Sequence, residues 1–198
     1  MKLYVTLSSP YARLARIVLV EKRLENRVAV VEAKTRVPDS PYYQINPSGR
    51  VPYLVDDDGV GMEDSHVICA YLDNLDGAPR LHARDSDWDY RRFEATARSF
   101  CDGIAVWARE MHRPQNERSP GLLAHEAARG GRLADAFEAR AGEPLLREAP
   151  RMAHFVLAVA LETARKRGFG DMTEGRPALA AWLPPISALP SMRATAPP

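Results

Sequence analysis

Within its first 33 residues the chain changes its hydrophobic period twice, and this constrains the fold more than any other feature. "KLYVTLS" (Lys2 to Ser8) alternates polar and apolar positions and is rich in strand-forming residues. "YARLARIVLVEKRL" (Tyr11 to Leu24) then sets Leu14, Ile17, Val18 and Leu24 at roughly helical spacing. "RVAVVEA" (Arg27 to Ala33) returns to a short β-branched run. Strand, helix and strand in so little chain read as a βαβ unit whose two strands pair in parallel.

A proline- and polar-rich loop leads on to "VPYLVDDDGVGMED", where Asp58-Gly59 is a hairpin turn between two further strands. "SHVICAYLDNL" (Ser65 to Leu75) follows as a helix, and "DGAPRLHAR" (Asp76 to Arg84) has the composition of a linker. Beyond it the texture becomes helical. "DSDWDYRRFEATARSFCDGIAVWAREMH" reads as one long helix stopped before Pro114. Ser119 and Pro120 open another, as cap and first helical position. "RMAHFVLAVALETARKRG" is the most apolar segment and is expected to be buried. "RPALAAWLPPIS" is expected to be a short helix that Pro184-Pro185 interrupts.

The composition narrows the function classes. A net charge of +1 gives no electrostatic reason to expect nucleic acid or a membrane surface as partner. No stretch approaches the ~18 apolar residues of a membrane span. The opening residues lack the apolar core and cleavage site of a secretory signal, so a cytoplasmic location is expected. Cys69 and Cys101 are the only cysteines, and they form no metal-ligand or redox spacing. Reduced, buried thiols are expected.

The order β-α-β, hairpin, helix, then a helical half, together with "SSPYARLARIVL", "NPSGRVPYLV" and "MEDSHVICAYL", resembles the cytosolic glutathione S-transferases, and most nearly their bacterial serine-type members. The resemblance covers nearly the whole chain. It implies a thioredoxin-like βαβ-ββα domain at 1–76, a linker at 77–85 and an α-helical bundle domain at 86–198. It also implies conjugation of glutathione thiolate to small hydrophobic electrophiles (a detoxification reaction), a homodimer, and no metal or prosthetic group, glutathione being the co-substrate. The scaffold also serves non-catalytic binding or interaction proteins, which is the alternative.

Each motif has a local reading beside the implied one. A serine in the position of Ser9 commonly caps a helix and does nothing else. The resemblance makes Ser9 the catalytic residue, its hydroxyl bonded to the glutathione sulfur; register favours it over Ser8 because it directly precedes the proline of "SPYAR". A free thiol has a pKa of ~8.5, and a hydrogen bond to a charged group contributes ~1.5–3 kcal/mol. With ~0.3–1 kcal/mol from the helix N-terminus, the thiol is brought to roughly 6.5–7. Redox-active relatives carry cysteine here, so serine disfavours thiol-disulfide exchange. Tyr4 lies too early in its strand to replace Ser9 and reads as a packed aromatic.

Val51-Pro52 otherwise begins an edge strand; the resemblance makes its peptide bond cis and gives Val51 the cysteinyl backbone of glutathione to hold. Asp64 and Ser65 read locally as an acidic helix start. By resemblance they hold the γ-glutamyl end, although most members carry Glu or Gln where Asp64 stands. Lys34 and Arg50, with Arg36, are candidates for the glycyl carboxylate or plain solvated charges. Arg13 and Arg16 read as surface or interdomain ion pairs, and His112 as a structural or exposed helix-end residue. Ile104, Trp107, Ala108 and Met111 fall on one helical stripe, implied to wall the second-substrate pocket and equally readable as core. Members usually start the buried helix with Ser or Thr followed three places later by Asp. "RMAHFVLAVAL" has no such pair, so its start is solved differently or the domain is less stable.

Overall fold

The computed structural model describes residues 1–75, 79–82 and 86–198, so the linker expected at 77–85 lies partly outside the described residues. The chain packs as two compact units, Met1–His82 with Pro190–Pro198, and Ala83–Leu189.

In the first unit, strand β1 (Lys2–Val5) is followed by helix α1 (Pro10–Glu21) and strand β2 (Ala29–Glu32), which pairs in parallel with β1. Strands β3 (Tyr53–Val55) and β4 (Gly61–Glu63) complete a sheet of order β2-β1-β3-β4, both added antiparallel. Helix α3 (Ser65–Asp73) packs against α1, so the expected βαβ-ββα arrangement is realised. Leu3, Val5 and Leu54 of the sheet, Ile17 and Val18 of α1, and Ile68 and Leu72 of α3 are fully buried and form its core. The Asp58-Gly59 turn is present: Gly59 sits at φ 80, and Asp56 Oδ1 accepts from the N–H groups of Asp58 and Val60 at 3.0 and 2.8 Å. Only glycine holds that φ without steric cost.

The loop between β2 and β3 contains a single helical turn, α2 (Tyr42–Ile45), that the sequence pattern does not announce. Helix α1 also ends earlier than Leu24. Arg23 takes the left-handed φ of 53, and the N–H groups of Arg23 and Leu24 close on the carbonyls of Val20 and Leu19. This is a Schellman stop without its usual glycine, hence its silence in the sequence.

The end of the chain departs from the expected division into 1–76 and 86–198. Helix α9 (Pro190–Ala194) and the residues after it belong to the first unit. Arg13 and Arg16 hold them: Arg13 Nη2 donates to the Met192 carbonyl at 3.0 Å and Arg16 Nη1 to that of Thr195 at 3.3 Å. Arg13 is only 3% exposed, so the expectation of a surface arginine is corrected. A planar fork of N–H donors suits the unpaired carbonyls at a helix end.

The second unit is helical: α4 (Trp88–Met111), a 3-10 turn (Gln115–Glu117), α5 (Pro120–Arg140), α6 (Pro144–Arg147), α7 (Met152–Lys166) and α8 (Pro177–Ser187). As expected, α7 is the buried helix, and α4 packs along it. Helix α8 is not interrupted: it runs through Pro184 and Pro185. The two prolines withhold N–H groups from the carbonyls of Ala180 and Ala181, and both of these residues are exposed, so the vacant acceptors are on the solvent side of the helix.

The missing cap of α7 is replaced from elsewhere in the fold. Arg151 stands at the N-cap, and its backbone N–H donates to His154 Nδ1 at 3.2 Å. The Ala153 N–H donates to the hydroxyl of Tyr90, on α4, at 2.9 Å, and the Arg151 guanidinium lies 3.8 Å over the Tyr90 ring. Helix α8 follows the same plan: Arg176 is its N-cap, and Glu138 of α5 accepts from the N–H groups of Ala178 and Leu179 at 3.0 and 2.7 Å. Tyr90→Phe therefore strands a buried donor, since Ala153 has no exposed surface. A loss of about 1–3 kcal/mol is expected as a lower urea midpoint at unchanged slope. An unchanged midpoint would deny the hydroxyl its capping role.

Candidate functional site

The sheet register brings the candidate residues to one edge. Tyr4 pairs with Tyr53, and Tyr53 with Glu63, so the C-terminal ends of β1 and β4 lie in one row with the N-terminal end of β3. Val5 pairs with Glu32, which adds the end of β2 to the same edge. From this edge emerge Ser9 after β1, Lys34 after β2, Val51-Pro52 before β3, and Asp64-Ser65 after β4. Residues far apart in sequence are thus gathered at the carboxyl ends of the parallel pair, the usual place for a ligand in an open α/β sheet.

Ser9 is the N-cap of α1. Its Oγ accepts from the Ala12 N–H at 3.3 Å, and its carbonyl accepts from the Arg13 N–H at 3.0 Å. Pro10, the first helical residue, has no N–H to offer. Hydroxyl oxygen accepts and donates at once, and the Ser9 proton has no acceptor among the described residues. The side chain is half-buried at the sheet edge. Tyr4 packs its ring against Tyr42 at 5.7 Å between centroids, which accounts for it without chemistry.

The Val51-Pro52 peptide is cis. The loop before it is held by residues that motif reasoning passed over. Asn46, 2% exposed, donates to the Arg50 carbonyl at 3.0 Å and accepts from the Ser48 N–H at 3.1 Å. The Tyr42 hydroxyl also donates to the Arg50 carbonyl; burial holds its phenol above the ordinary value, so the proton stays in place. Ser48 Oγ accepts from the Arg50 N–H at 3.2 Å and donates to the Glu63 carboxylate, tying the loop to the end of β4. The signal was "NPSGR" itself: Asn and Ser beside Gly and Pro form backbone-bonded turns.

Asp64 is the N-cap of α3 and is held at φ 73, a backbone setting that costs a side-chain-bearing residue about 1–3 kcal/mol and that clusters at functional sites. Its Oδ1 accepts from the N–H groups of His66 at 2.8 Å and Val67 at 3.3 Å, while Oδ2 accepts none from the described residues. Ser65 is the first helical residue beside it. Lys34 and Arg50 are exposed at the same edge, and the hydrogen bonds found at both involve their backbone.

The apolar stripe of α4 lies in the helical unit. Ile104 is enclosed at 1% exposure, Trp107 stacks face to face on Phe169 with centroids 4.5 Å apart, Ala108 is half-buried and Met111 is 36% exposed. His112 is exposed at the end of α4 and lies 3.0 Å from Arg167 through its Nε2. Both cysteines are buried and unbridged. Among the described residues, no helix is long and apolar enough to cross a membrane.

Residues 3–80 match the family model of the glutathione S-transferase N-terminal domain. The uncharacterized GST-like protein YibF of Escherichia coli K12 is 32% identical over 143 residues, which cover 70% of this chain and 68% of that protein. Among solved structures, a glutathione transferase family member from Pseudomonas fluorescens Pf-5 with bound glutathione is 30% identical, with a TM-score of 0.90 over 100% of this chain and 98% of that one. A glutathione S-transferase from Methylobacillus flagellatus KT with GSH bound is 27% identical, with a TM-score of 0.89 over 100% and 99% of the two chains.

Proposed function

This chain belongs to the glutathione S-transferase family, and from that premise we propose that it conjugates glutathione, through its thiolate, to small apolar electrophiles. The observation that carries the reading is the row Tyr4, Tyr53, Glu63, which gathers Ser9, the cis Val51-Pro52 peptide and Asp64-Ser65 at one sheet edge. The bound glutathione in two similar structures supports the tripeptide as occupant of that edge.

In this reading the Ser9 hydroxyl donates to the sulfur while continuing to cap α1. The Val51 backbone meets the cysteinyl unit, and Asp64 with Ser65 takes the γ-glutamyl end, Asp64 Oδ2 accepting from its ammonium group. Lys34 and Arg50 stand near enough to the edge to serve the glycyl carboxylate. The thiolate attacks the electrophilic carbon, a carbon–sulfur bond forms, and the leaving group departs with the electrons of its bond. The thiol proton has gone to solvent beforehand, so no residue need act as base, and no metal takes part. In this reading the working protein is a homodimer.

The test uses the purified chain with glutathione and an activated aryl halide, followed by absorbance of the thioether. Turnover well above the uncatalysed rate is expected, together with retention on immobilised glutathione and elution by free tripeptide. Retention without turnover on a panel of aryl halides, epoxides and enones would leave a binding protein. Failure of both measurements would overturn the reading.

A further inference from the structure

We propose that His66 and His82 form a binding site for a divalent cation of the zinc type, with Asp73 as the residue that orients His82. This site is separate from the glutathione reading and does not depend on it.

Asp73 is 4% exposed and is surrounded by donors. It accepts from the Leu81 N–H at 3.1 Å, from the His82 N–H at 2.9 Å, and pairs with the buried Lys22 ammonium at 3.2 Å. It is therefore an anion that can only accept. His82 Nδ1 lies 3.1 Å from Asp73 Oδ2, so Nδ1 carries the proton of that bond. With Nδ1 turned to the carboxylate, Nε2 is the ring nitrogen left for a ligand. That nitrogen is buried and has no hydrogen-bond partner among the described residues. A buried polar atom left in this state calls for an explanation, and a bound ion is one of the standard ones.

His66, in the first turn of α3, presents its ring edge-on to His82 with centroids 5.8 Å apart. A ring nitrogen of each lies within 4.8 Å of the other. Two imidazoles on one tetrahedral zinc, with bonds of about 2.0–2.1 Å, hold their nitrogens about 3.3 Å apart. His66 is exposed, and a small rotation of its side chain closes the difference. Carboxylate, imidazole and metal in series is the arrangement that fixes tautomer and ring direction in metal-binding histidines. Imidazole pairs select zinc, copper and nickel over calcium and magnesium, and water fills the remaining positions. The spacing of the two histidines matches no sequence motif, because the fold, and not a local pattern, sets His82 beside His66.

The test is equilibrium dialysis of the tag-free chain against Zn2+ in a non-chelating buffer without glutathione. One ion per chain is expected, with affinity reduced about tenfold or more in His66→Gln and in His82→Gln. The double variant His112→Gln, His125→Gln is expected to bind as the parent does. Cys101 does not compete, since burial pushes its thiol up to about 12. Should His82→Gln unfold, His66→Gln alone decides, because its side chain is exposed. Absence of stoichiometric zinc in the parent, or full affinity retained without His66, would overturn the site.

Discussion

Replacing Ser9 by alanine is expected to lower kcat/KM for conjugation roughly 10- to 100-fold while glutathione affinity changes far less. A hydrogen bond to a charged group contributes about 1.5–3 kcal/mol, and each ~1.4 kcal/mol is a factor of ten in rate. The structure sharpens which donor is at stake. The first turn of α1 lacks an N–H at Pro10, and those of Ala12 and Arg13 are already committed to Ser9 itself, so the Ser9 hydroxyl proton is the side-chain donor offered to a sulfur there. Loss of that donor also moves the acidic limb of the pH–rate profile upward, since the bound thiol then ionises closer to ~8.5. Alanine at an N-cap costs about 0.5–2 kcal/mol of stability as well, whereas glycine costs only a few tenths. Ser9→Gly therefore isolates the chemistry from the cap, and Ser9→Thr, which keeps a hydroxyl, should recover much of the rate. Unchanged kcat/KM in both Ser9→Ala and Ser9→Gly would remove Ser9 from the reaction.

Acidification from pH 6.5 to pH 4 is expected to cost the helical unit about 3 kcal/mol through one side chain. His154 has no exposed surface, and burial first, then the nearby Arg151 charge, pushes its imidazole down to about 4 from the ordinary 6.5. In the unfolded chain His154 takes up a proton below 6.5; in the folded chain it does so only near 4. Between these values the unfolded state binds more protons, so stability falls as the pH falls and is lost in full once the folded pKa is passed. The structural cause is the cap: Nδ1 must stay unprotonated to accept the Arg151 N–H, and the ring is packed between Phe93 and Trp182. Urea unfolding at pH 7, 5 and 4 measures the effect. His154→Gln retains an acceptor three places after the N-cap without a titrating ring, and it should flatten this part of the profile. Parallel profiles for parent and variant would exclude His154 as the source.

Local chemistry alone determined a good part of this protein. The alternation of "KLYVTLS", the Ser9-Pro10 and Ser119-Pro120 helix starts and the Asp58-Gly59 turn act within a few residues of themselves, so they work the same way in any surroundings and are legible without a fold. Ser9, Val51-Pro52 and Asp64-Ser65 are nominated by the family resemblance and not by local chemistry, which makes them a cap, a strand start and an acidic helix start; the sheet register then gathers them. The tertiary structure decided what depends on partners distant in the chain. Tyr90 and Glu138 cap helices that have arginine at their own N-caps, and Arg13 and Arg16 bind the tail into the first unit. His82 is turned toward His66 by Asp73. The reason is the same in each case: a buried N–H, carbonyl or ring nitrogen needs a partner, but nothing in its own segment specifies which side chain, tens of residues away, folding will bring to it.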